Sequence, residues 1–168
     1  MLRRPRLDDA EDVLEFVADP DVMRWLGGQT GDLVAAVATI ERWLARWEED
    51  AIGQFAVERE GHVIGRVGFL AWDASTWNVS SYADAVEPVT ELGWAIARKH
   101  WGHGYAIEAA RALRPWAYEW GVESLISLIN PANVRSIRVA EKLDAFPTDT
   151  VEVGSSPAVI WRHPEQFS

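Results

Sequence analysis

The spacing of apolar residues along the chain predicts that two helices come first. Asp8 or Asp9 can cap the first helix, and Asp19-Pro20 ends it because the residue before a proline avoids helical angles. Asp32 can cap the second helix, in which apolar residues recur at spacings of three and four. Each helix therefore presents one apolar face to a core.

The rest of the chain is predicted to alternate between strands and helices. Two β-rich runs are divided at Glu60-Gly61, the pattern of an antiparallel hairpin with a tight turn. A long polar loop follows over residues 73–87. Pro115 lies inside the later helix Tyr105–Trp120 and should kink it. In chain order the elements are strands Gln54–Arg59, His62–Trp72 and Thr90–Ala97, helix Tyr105–Trp120, strand Ser124–Asn130, helix Pro131–Leu143 and strand Val159–Trp161. This order predicts one α/β (α+β) domain over residues 1–168, with a mixed sheet and helices on both faces.

Composition narrows the classes of protein that this pattern can serve. The 168 residues carry 16 basic and 26 acidic side chains, a net charge of −10, which argues against nucleic acid as a partner. There is no cysteine, so disulfides, thiolate metal sites and an acyl-cysteine intermediate are excluded. No stretch approaches the roughly eighteen apolar residues of a membrane span, and the start lacks the apolar run of a signal peptide. We therefore expect a cytoplasmic protein without a membrane partner.

One loop combines features that suit an anionic ligand. The predicted strand Thr90–Ala97 leads into a loop with Gly102 and Gly104, and a predicted helix follows at once. Such a loop presents free backbone N–H groups at the positive end of a helix dipole, and glycines let a ligand approach the backbone closely. Basic residues gather in the same stretch of an acidic chain: Arg98, Lys99, His100, His103 and Arg111, with Glu108 as the one acid. The N–H groups of residues 102–106 are therefore predicted to bind a pyrophosphate.

The residues alone leave other interpretations of this loop open. A lone G-x-G serves a tight turn more often than a ligand. A dinucleotide loop would need glycine where Ile107 stands, and the G-K-S/T of a P-loop is absent. His100, His103 and Glu108 could hold a metal, as in a histidine-based hydrolase. Two histidines three apart without a third firm ligand are more typical of ordinary polar residues, so we predict no metal site.

Four stretches, in order along residues 19–145, are more specific together than any one alone. They are Asp19-Pro20-Asp21-Val22-Met23-Arg24-Trp25, Glu91-Leu92-Gly93-Trp94, Trp101-Gly102-His103-Gly104-Tyr105-Ala106 with Glu108-Ala109, and Asn133-x-x-Ser136 leading to Glu141-Lys142-Leu143. In this combination the chain resembles the GNAT superfamily of N-acetyltransferases, in particular its RimJ/RimL-like branch. The stretches resemble the end of its first helix, its fourth strand, its acetyl-CoA loop with the following helix, and its penultimate helix.

The resemblance implies a fold and a cosubstrate. The fold is a mixed, mostly antiparallel sheet flanked by helices, in which strands four and five splay apart and admit the pantetheine arm of acetyl-CoA. The residues implied in binding it are Trp94 and Ile96 through their main chain, the loop residues Lys99, Trp101, Gly102, His103, Gly104, Tyr105 and Ala106, and Asn133 with Ser136 beside the pantetheine and the thioester sulfur.

The implied reaction is direct acetyl transfer to an amine, without a covalent enzyme intermediate. An alkylammonium must lose a proton before it can attack, and Glu91 is the candidate base, although it fits a solvent-facing strand carboxylate equally well. A backbone N–H near Ile96 could stabilise the oxyanion. Ser136 is the candidate donor to the departing thiolate, or else bonds back to a helix carbonyl.

Three positions depart from the family's pattern. Lys99 stands at the first position of the loop, which is usually Gln or Arg, and still offers positive charge. Ala140 stands where many GNAT enzymes carry a tyrosine acid, so Ser136 or water must serve. Asp144 replaces a glycine after Glu-Lys-Leu, and aspartate tolerates left-handed angles better than most residues. The rival function that these departures leave open is a CoA-binding or interaction module of the same fold without transfer activity.

The expected partner is an amine acceptor, either a small molecule or a peptide N-terminus. Residues 73–92 contain four acids and no Lys or Arg, together with Trp72, Trp77 and Tyr82 nearby, which would suit an amine through ion pairing and cation–π contact. A solvated loop with a few packed aromatics is the alternative interpretation, and the one favoured here. Ten tryptophans in so small a chain also make a homodimer a possible assembly.

Overall fold

The computed structural model describes residues 1–165. Within them the chain forms two compact units, which we describe separately. The first unit comprises Met1–Gly68 and Trp94–Ala109, and the second comprises Phe69–Gly93 and the chain from Ala110 onward. That residues 1–168 act as one domain stays a prediction.

Helices and strands alternate along most of the described chain. The helices are α1 (Ala10–Val17), α2 (Pro20–Met23), α3 (Leu33–Asp50), α4 (Tyr105–Glu119) and α5 (Val134–Lys142). The strands are β1 (Leu2–Arg3), β2 (Gln54–Arg59), β3 (His62–Asp73), β4 (Asn78–Val79), β5 (Pro88–Ile96), β6 (Leu125–Ile129), β7 (Phe146–Val153) and β8 (Ser156–Arg162). Short 3-10 turns occupy Leu7–Asp9 and Arg98–His100.

In the first unit, α1 and α3 share an apolar core. Phe16 of α1 and Ile40 of α3 are fully buried there, and Ala97 at the end of β5 belongs to the same cluster. The predicted cap of α3 is confirmed, since the Asp32 carboxylate accepts the Ala35 N–H at 3.0 Å. This core therefore fixes the position of Ala97, where β5 ends and the glycine-containing loop begins.

The strands of the first unit pair in the order β1-β2-β3-β5. β1 and β2, and β2 and β3, are antiparallel. The predicted hairpin turn is confirmed, because Glu60 and Gly61 both have left-handed φ angles, 54° and 85°, as a two-residue turn with the hairpin's twist requires. Asp19 ends α1 as predicted, and its carboxylate also caps the unpredicted α2 by accepting the Asp21 N–H at 2.8 Å.

The strands of the second unit pair in the order β3-β5-β6-β8-β7, with β4 beside β3. β5 and β6 pair in parallel, whereas β3 with β4, β6 with β8 and β7 with β8 are antiparallel. α4 packs on this sheet through Trp116, whose ring stacks on Phe69 at 5.7 Å. The mixed, mostly antiparallel sheet flanked by helices is therefore confirmed.

Some predicted boundaries were wrong. β7 was missed because six of its eight side chains are exposed and only Val151 and Val153 are partly buried, so the apolar alternation is too short to predict a strand. The predicted helix Pro131–Leu143 begins only at Val134, since Asn133 is its cap. The predicted helix Tyr105–Trp120 is confirmed to within one residue, since α4 continues past Pro115 to Glu119. Among residues 1–165 no helix is long and apolar enough to cross a membrane.

Candidate active site

The loop between β5 and α4 has the backbone geometry of an anion cradle. Gly102 and Gly104 have φ angles of 82° and 85°, a region that favours glycine, and a Cβ added at either would meet no protein atom within 4 Å. The Glu108 N–H makes its helical bond to the Gly104 carbonyl at 3.0 Å. The N–H groups of residues 105–107 therefore precede the helical ladder and point out of the helix end, where the dipole is positive.

The first two basic side chains of this loop, Arg98 and Lys99, form ion pairs with carboxylates. The Arg98 guanidinium lies 3.0 Å from the Asp19 carboxylate and 3.3 Å from that of Asp21. The Lys99 ammonium donates to Glu15 of α1 at 2.7 Å. The positive charges of Arg98 and Lys99 are therefore partly offset by the carboxylates of Asp19, Asp21 and Glu15, and a role of Lys99 in binding a cofactor stays a prediction.

The remaining basic residues of the loop surround Tyr105, the first residue of α4. The His103 ring stacks on the Tyr105 ring at 5.7 Å, and the His100 ring meets its edge at 6.2 Å. The Arg59 guanidinium of β2 lies 5.6 Å from the centre of the same ring. Burial, and then the positive charges of Lys99 and Arg59, lower the pKa of His100, which is therefore neutral at pH 7. Sequence reasoning missed Arg59 because nothing in its surroundings along the chain signals this contact.

Trp101 anchors the loop. Its indole N–H donates to the Ile96 carbonyl at 2.7 Å, and its ring packs against the core of α1 and α3. The Ile96 carbonyl therefore already accepts one hydrogen bond from within the protein. Trp94, two residues earlier on β5, is partly buried. Trp101 therefore holds the loop in place through these contacts. The two glycines and the start of α4 are the candidate binding surface.

Glu91 lies where β5 and β6 stop pairing. Their ladder comprises Thr90 opposite Leu125 and Glu91 opposite Ile126. Beyond it, the Leu128 N–H points to the Glu91 carboxylate at 3.5 Å instead of a strand carbonyl, and the Trp72 indole N–H donates to the other carboxylate oxygen at 2.7 Å. The carboxylate is thus held at both oxygens and is not a freely rotating surface group. Trp72 is a supporting residue that the sequence did not reveal.

Asn133 and Ser136 are brought together at the start of α5. The Asn133 side-chain oxygen accepts the Ser136 N–H at 3.2 Å, so the asparagine is the helix cap. Ala140, one turn further along, is fully buried. A tyrosine would not fit there without rearranging the core, which gives a packing reason for the missing phenol. Asp144 has a left-handed φ of 60°, as its position after the helix predicted.

The acids of the 73–87 loop organise the loop itself. The Asp73 carboxylate accepts bonds from the Ser75 hydroxyl and N–H and from the N–H groups of Val86 and Glu87. The Ser75 hydroxyl is the largest of the influences that lower the pKa of Asp73 to about 2. Asp84 accepts from the Ser81 hydroxyl at 2.7 Å. These contacts favour the solvated-loop interpretation over an amine-binding cluster of acids.

Across residues 1–165, no group of three or more His, Asp or Glu side chains is placed to hold a metal ion. His100 and His103 contact Tyr105 instead. What the two units do offer is an anion cradle of main-chain donors in the first and a fixed carboxylate, Glu91, in the second.

Comparison with known proteins connects these features. A model of the acetyltransferase (GNAT) domain family matches residues 1–145. The uncharacterized protein YkkB of Bacillus subtilis (strain 168) is 31% identical over 152 residues, which are 85% of this chain and 78% of that protein. The acetyltransferase from Agrobacterium tumefaciens str. C58 superposes with a TM-score of 0.76 at 27% identity, covering 97% of this chain and 89% of that one.

A more distant likeness concerns the fold alone. The structure of AAC(6′)-Ib in complex with ribostamycin and coenzyme A superposes with a TM-score of 0.76 at 19% identity. The superposition covers 97% of this chain and 92% of that one. That protein therefore shares the arrangement of strands and helices described above.

Proposed function

This chain belongs to the acetyltransferase (GNAT) domain family, and from that premise we propose that it moves the acetyl group of acetyl-CoA directly to an amine. As an acetyltransferase it needs a donor site, a base and an acceptor site. We place it in the RimJ/RimL-like branch on the strength of the four sequence stretches in residues 19–145. The acceptor is a small-molecule amine or a protein N-terminus.

The observation that carries the proposal is the pair of left-handed glycines before α4. Gly102 and Gly104 hold the backbone where a Cβ would project into open space, and the outward N–H groups of residues 105–107 can each donate to a phosphate oxygen. In this proposal the pyrophosphate of CoA lies on residues 102–106, with Trp101 fixing the loop and Lys99 adding little. Coenzyme A bound to AAC(6′)-Ib, which shares the fold, supports this choice of ligand.

Glu91 is proposed to remove the proton from the attacking amine. Both carboxylate oxygens are fixed by N–H donors, so a carboxylate lone pair faces in a set direction and can accept a proton directly or through an ordered water. Because the chain has no cysteine, the acetyl group cannot be transferred first to a thiol of the protein, and the amine attacks the thioester directly.

Ser136 is proposed to donate to the thiolate that departs as the thioester breaks. It lies in the first turn of α5, where the positive end of a helix dipole favours negative charge, and Asn133 holds that turn. An N–H near Ile96 would stabilise the charge on the acetyl oxygen. Trp94 and Asn133 would line the pantetheine arm through the polar groups that the family resemblance assigns them.

The test is a thiol-release screen with acetyl-CoA against peptides with free N-termini, polyamines and aminoglycosides. The proposal expects stoichiometric acetylated amine and free CoA for at least one acceptor, and Ser136→Ala should slow turnover while calorimetry shows unchanged CoA binding. CoA binding without thiol release across the whole panel would favour the binding module without transfer activity. Absence of CoA binding would overturn both ideas.

A further inference from the structure

A buried polar pair adjoins the end of the β5–β6 ladder, and the reaction scheme above does not use it. The Ser127 hydroxyl donates to the Leu92 carbonyl at 2.6 Å. The same oxygen lies 2.9 Å from His163 Nε2. Ser127 is 2% exposed and His163 is 5% exposed, so neither group exchanges this partner for bulk water. Each bond is therefore part of the fixed interior of the second unit.

The proton positions follow from what each group can do. A carbonyl only accepts, so the single hydroxyl proton of Ser127 is committed to Leu92. The Ser127 oxygen must then accept from His163, which places a proton on Nε2. Burial, and to a lesser degree the charge of Arg114, lowers the pKa of His163 to about 4, so near pH 7 the ring is neutral and that proton is its only one. The result is a directed chain from His163 through Ser127 to the main chain of β5.

This chain ends beside the candidate base. Leu92 follows Glu91 on β5, and Leu128, whose N–H points to the Glu91 carboxylate, follows Ser127 on β6. Two consecutive residues of β6 thus bond two consecutive residues of β5. The Ser127 side chain bonds the Leu92 main chain, and the Leu128 main chain bonds the Glu91 side chain. The ordinary ladder has ended here, so these two bonds replace it in setting the distance between the strands.

We propose that Ser127 and His163 are positioning residues for acetyl transfer, which hold the Leu92 carbonyl and thereby set the direction of the Glu91 carboxylate. The inference rests on the proposed role of Glu91. It differs from a purely structural role, in which the pair would satisfy a buried carbonyl and affect only stability. A shift of about 1 Å in a base can cost up to a hundredfold in rate, so the two roles separate in the kinetics.

Four variants test the proposal at a temperature well below unfolding. Ser127→Ala removes the donor to Leu92 and should lower kcat about ten- to a hundredfold, with the KM for acetyl-CoA changed little. His163→Leu removes the second donor at similar volume and should lower kcat less. His163→Gln keeps an N–H at similar reach and should restore most of the activity. Thr148→Val, which deletes another hydroxyl-to-carbonyl bond, to Ile160 at the sheet edge, is the matched control and should leave kcat unchanged.

Two measurements do not depend on activity. Nitrogen-15 spectra of labelled histidine, assigned by loss of a signal in His163→Gln among only four histidines, should show His163 protonated on Nε2. Hydrogen exchange of the Leu128 amide should speed up in Ser127→Ala, since its bond to Glu91 loosens. Protonation on Nδ1, or unchanged Leu128 exchange, would overturn the proposed chain of bonds.

The outcomes also distinguish this inference from the function on which it rests. If the wild-type protein acetylates an amine and Ser127→Ala does so at the same kcat, the positioning role is wrong and the function stands. If the wild-type protein releases no thiol with any acceptor, the proposed function fails. The spectroscopic and exchange results then still decide whether Ser127 and His163 hold β5.

Discussion

The loop before α4 and the end of the β5–β6 ladder differ in the groups that they expose to a ligand: main-chain N–H groups in the loop and a side chain at the ladder's end. In the loop, the groups offered to a ligand belong to the main chain of residues 102–107, while the side chains of Arg98, Lys99 and Trp101 are tied to acids and to the core. At the ladder's end, the group offered is the side chain of Glu91, and neighbouring side chains hold it. The loop should therefore be sensitive to glycine substitution, and the ladder's end to changes in single polar atoms.

The largest effect is expected at the carboxylate. Glu91→Gln removes the base, and its amide can accept from only one of the two N–H donors that the carboxylate satisfies. We expect kcat/KM for the amine to fall about 10²- to 10⁴-fold, the usual contribution of general base catalysis. Steady-state thiol release at saturating acetyl-CoA measures it. Glu87→Gln, an exposed acid just before β5, is the control, and equal losses in the two variants would contradict a specific role for Glu91.

The next effect tests the main-chain character of the loop. Gly104→Ala strains a left-handed residue and places a Cβ in the open space beside the loop, where the proposed phosphate would lie, so one or two charge-assisted bonds to phosphate should be lost. We expect CoA affinity to fall about ten- to a hundredfold by calorimetry, since each such bond is worth about 1.5–3 kcal/mol.

Gly121→Ala provides the matched strain control for that experiment. Gly121 has a φ of 88° and equally open surroundings, but it lies at the far end of α4. Its replacement should cost about 1 kcal/mol of folding free energy and leave CoA affinity unchanged. Equal losses of affinity in the Gly104 and Gly121 variants would mean that strain, and not the cradle, accounts for the result.

A smaller effect is expected at the tryptophan that holds Glu91. Trp72→Phe keeps the ring and deletes the N–H bond of 2.7 Å, so we expect kcat to fall about tenfold, the equivalent of a hydrogen bond to a charged group worth about 1.4 kcal/mol. Trp47→Phe deletes a comparable buried indole bond, to the Gln54 carbonyl at 2.9 Å, and should cost stability without lowering kcat. A fall in kcat of the same size in both variants would show that general loosening, not Glu91, is responsible.

The smallest effect concerns stability at mildly acid pH. The folded pKa of His163, about 4, is below its ordinary value of 6.5, so between these pH values the unfolded chain binds more protons and stability falls as pH falls. From pH 7.5 to pH 6 this group should remove about 0.8 kcal/mol of unfolding free energy. Urea titrations of wild type and His163→Gln measure it as the difference between their pH dependences. Parallel dependences would contradict a buried, neutral imidazole.

The same contrast decides what sequence reasoning could find. Gly102 and Gly104 announce the loop because their spacing is local and because few other residues adopt the angles required there. The partners of Glu91 and Ser127 are invisible in the sequence: Trp72 lies 19 residues from Glu91, and His163 lies 36 from Ser127. Only the folded sheet brings such residues together. The candidate residue Glu91 could therefore be picked from the sequence, while the residues that contact it could not.

The fold divides in a similar way. α3 and the β2–β3 hairpin were predictable because a cap, a period and a turn agree at each. β7 was not, because an edge strand with an exposed face needs no apolar alternation and draws its stability from pairing with β8. Lys99 shows the same dependence on the fold, since its charge is visible in the sequence while Glu15, with which it pairs, lies 84 residues away.

The ion pairs of Arg98 and Lys99 bear on how binding of an anionic ligand should depend on ionic strength. Attraction between free cations and phosphates weakens steeply as ionic strength rises, because mobile ions screen it. Here the loop's leading cations already face Asp19, Asp21 and Glu15, so they exert little long-range pull on a nucleotide. Short hydrogen bonds from fixed amides are screened far less. We therefore predict that the proposed binding of CoA at this loop weakens little as salt concentration rises, and that long-range attraction does little to speed it.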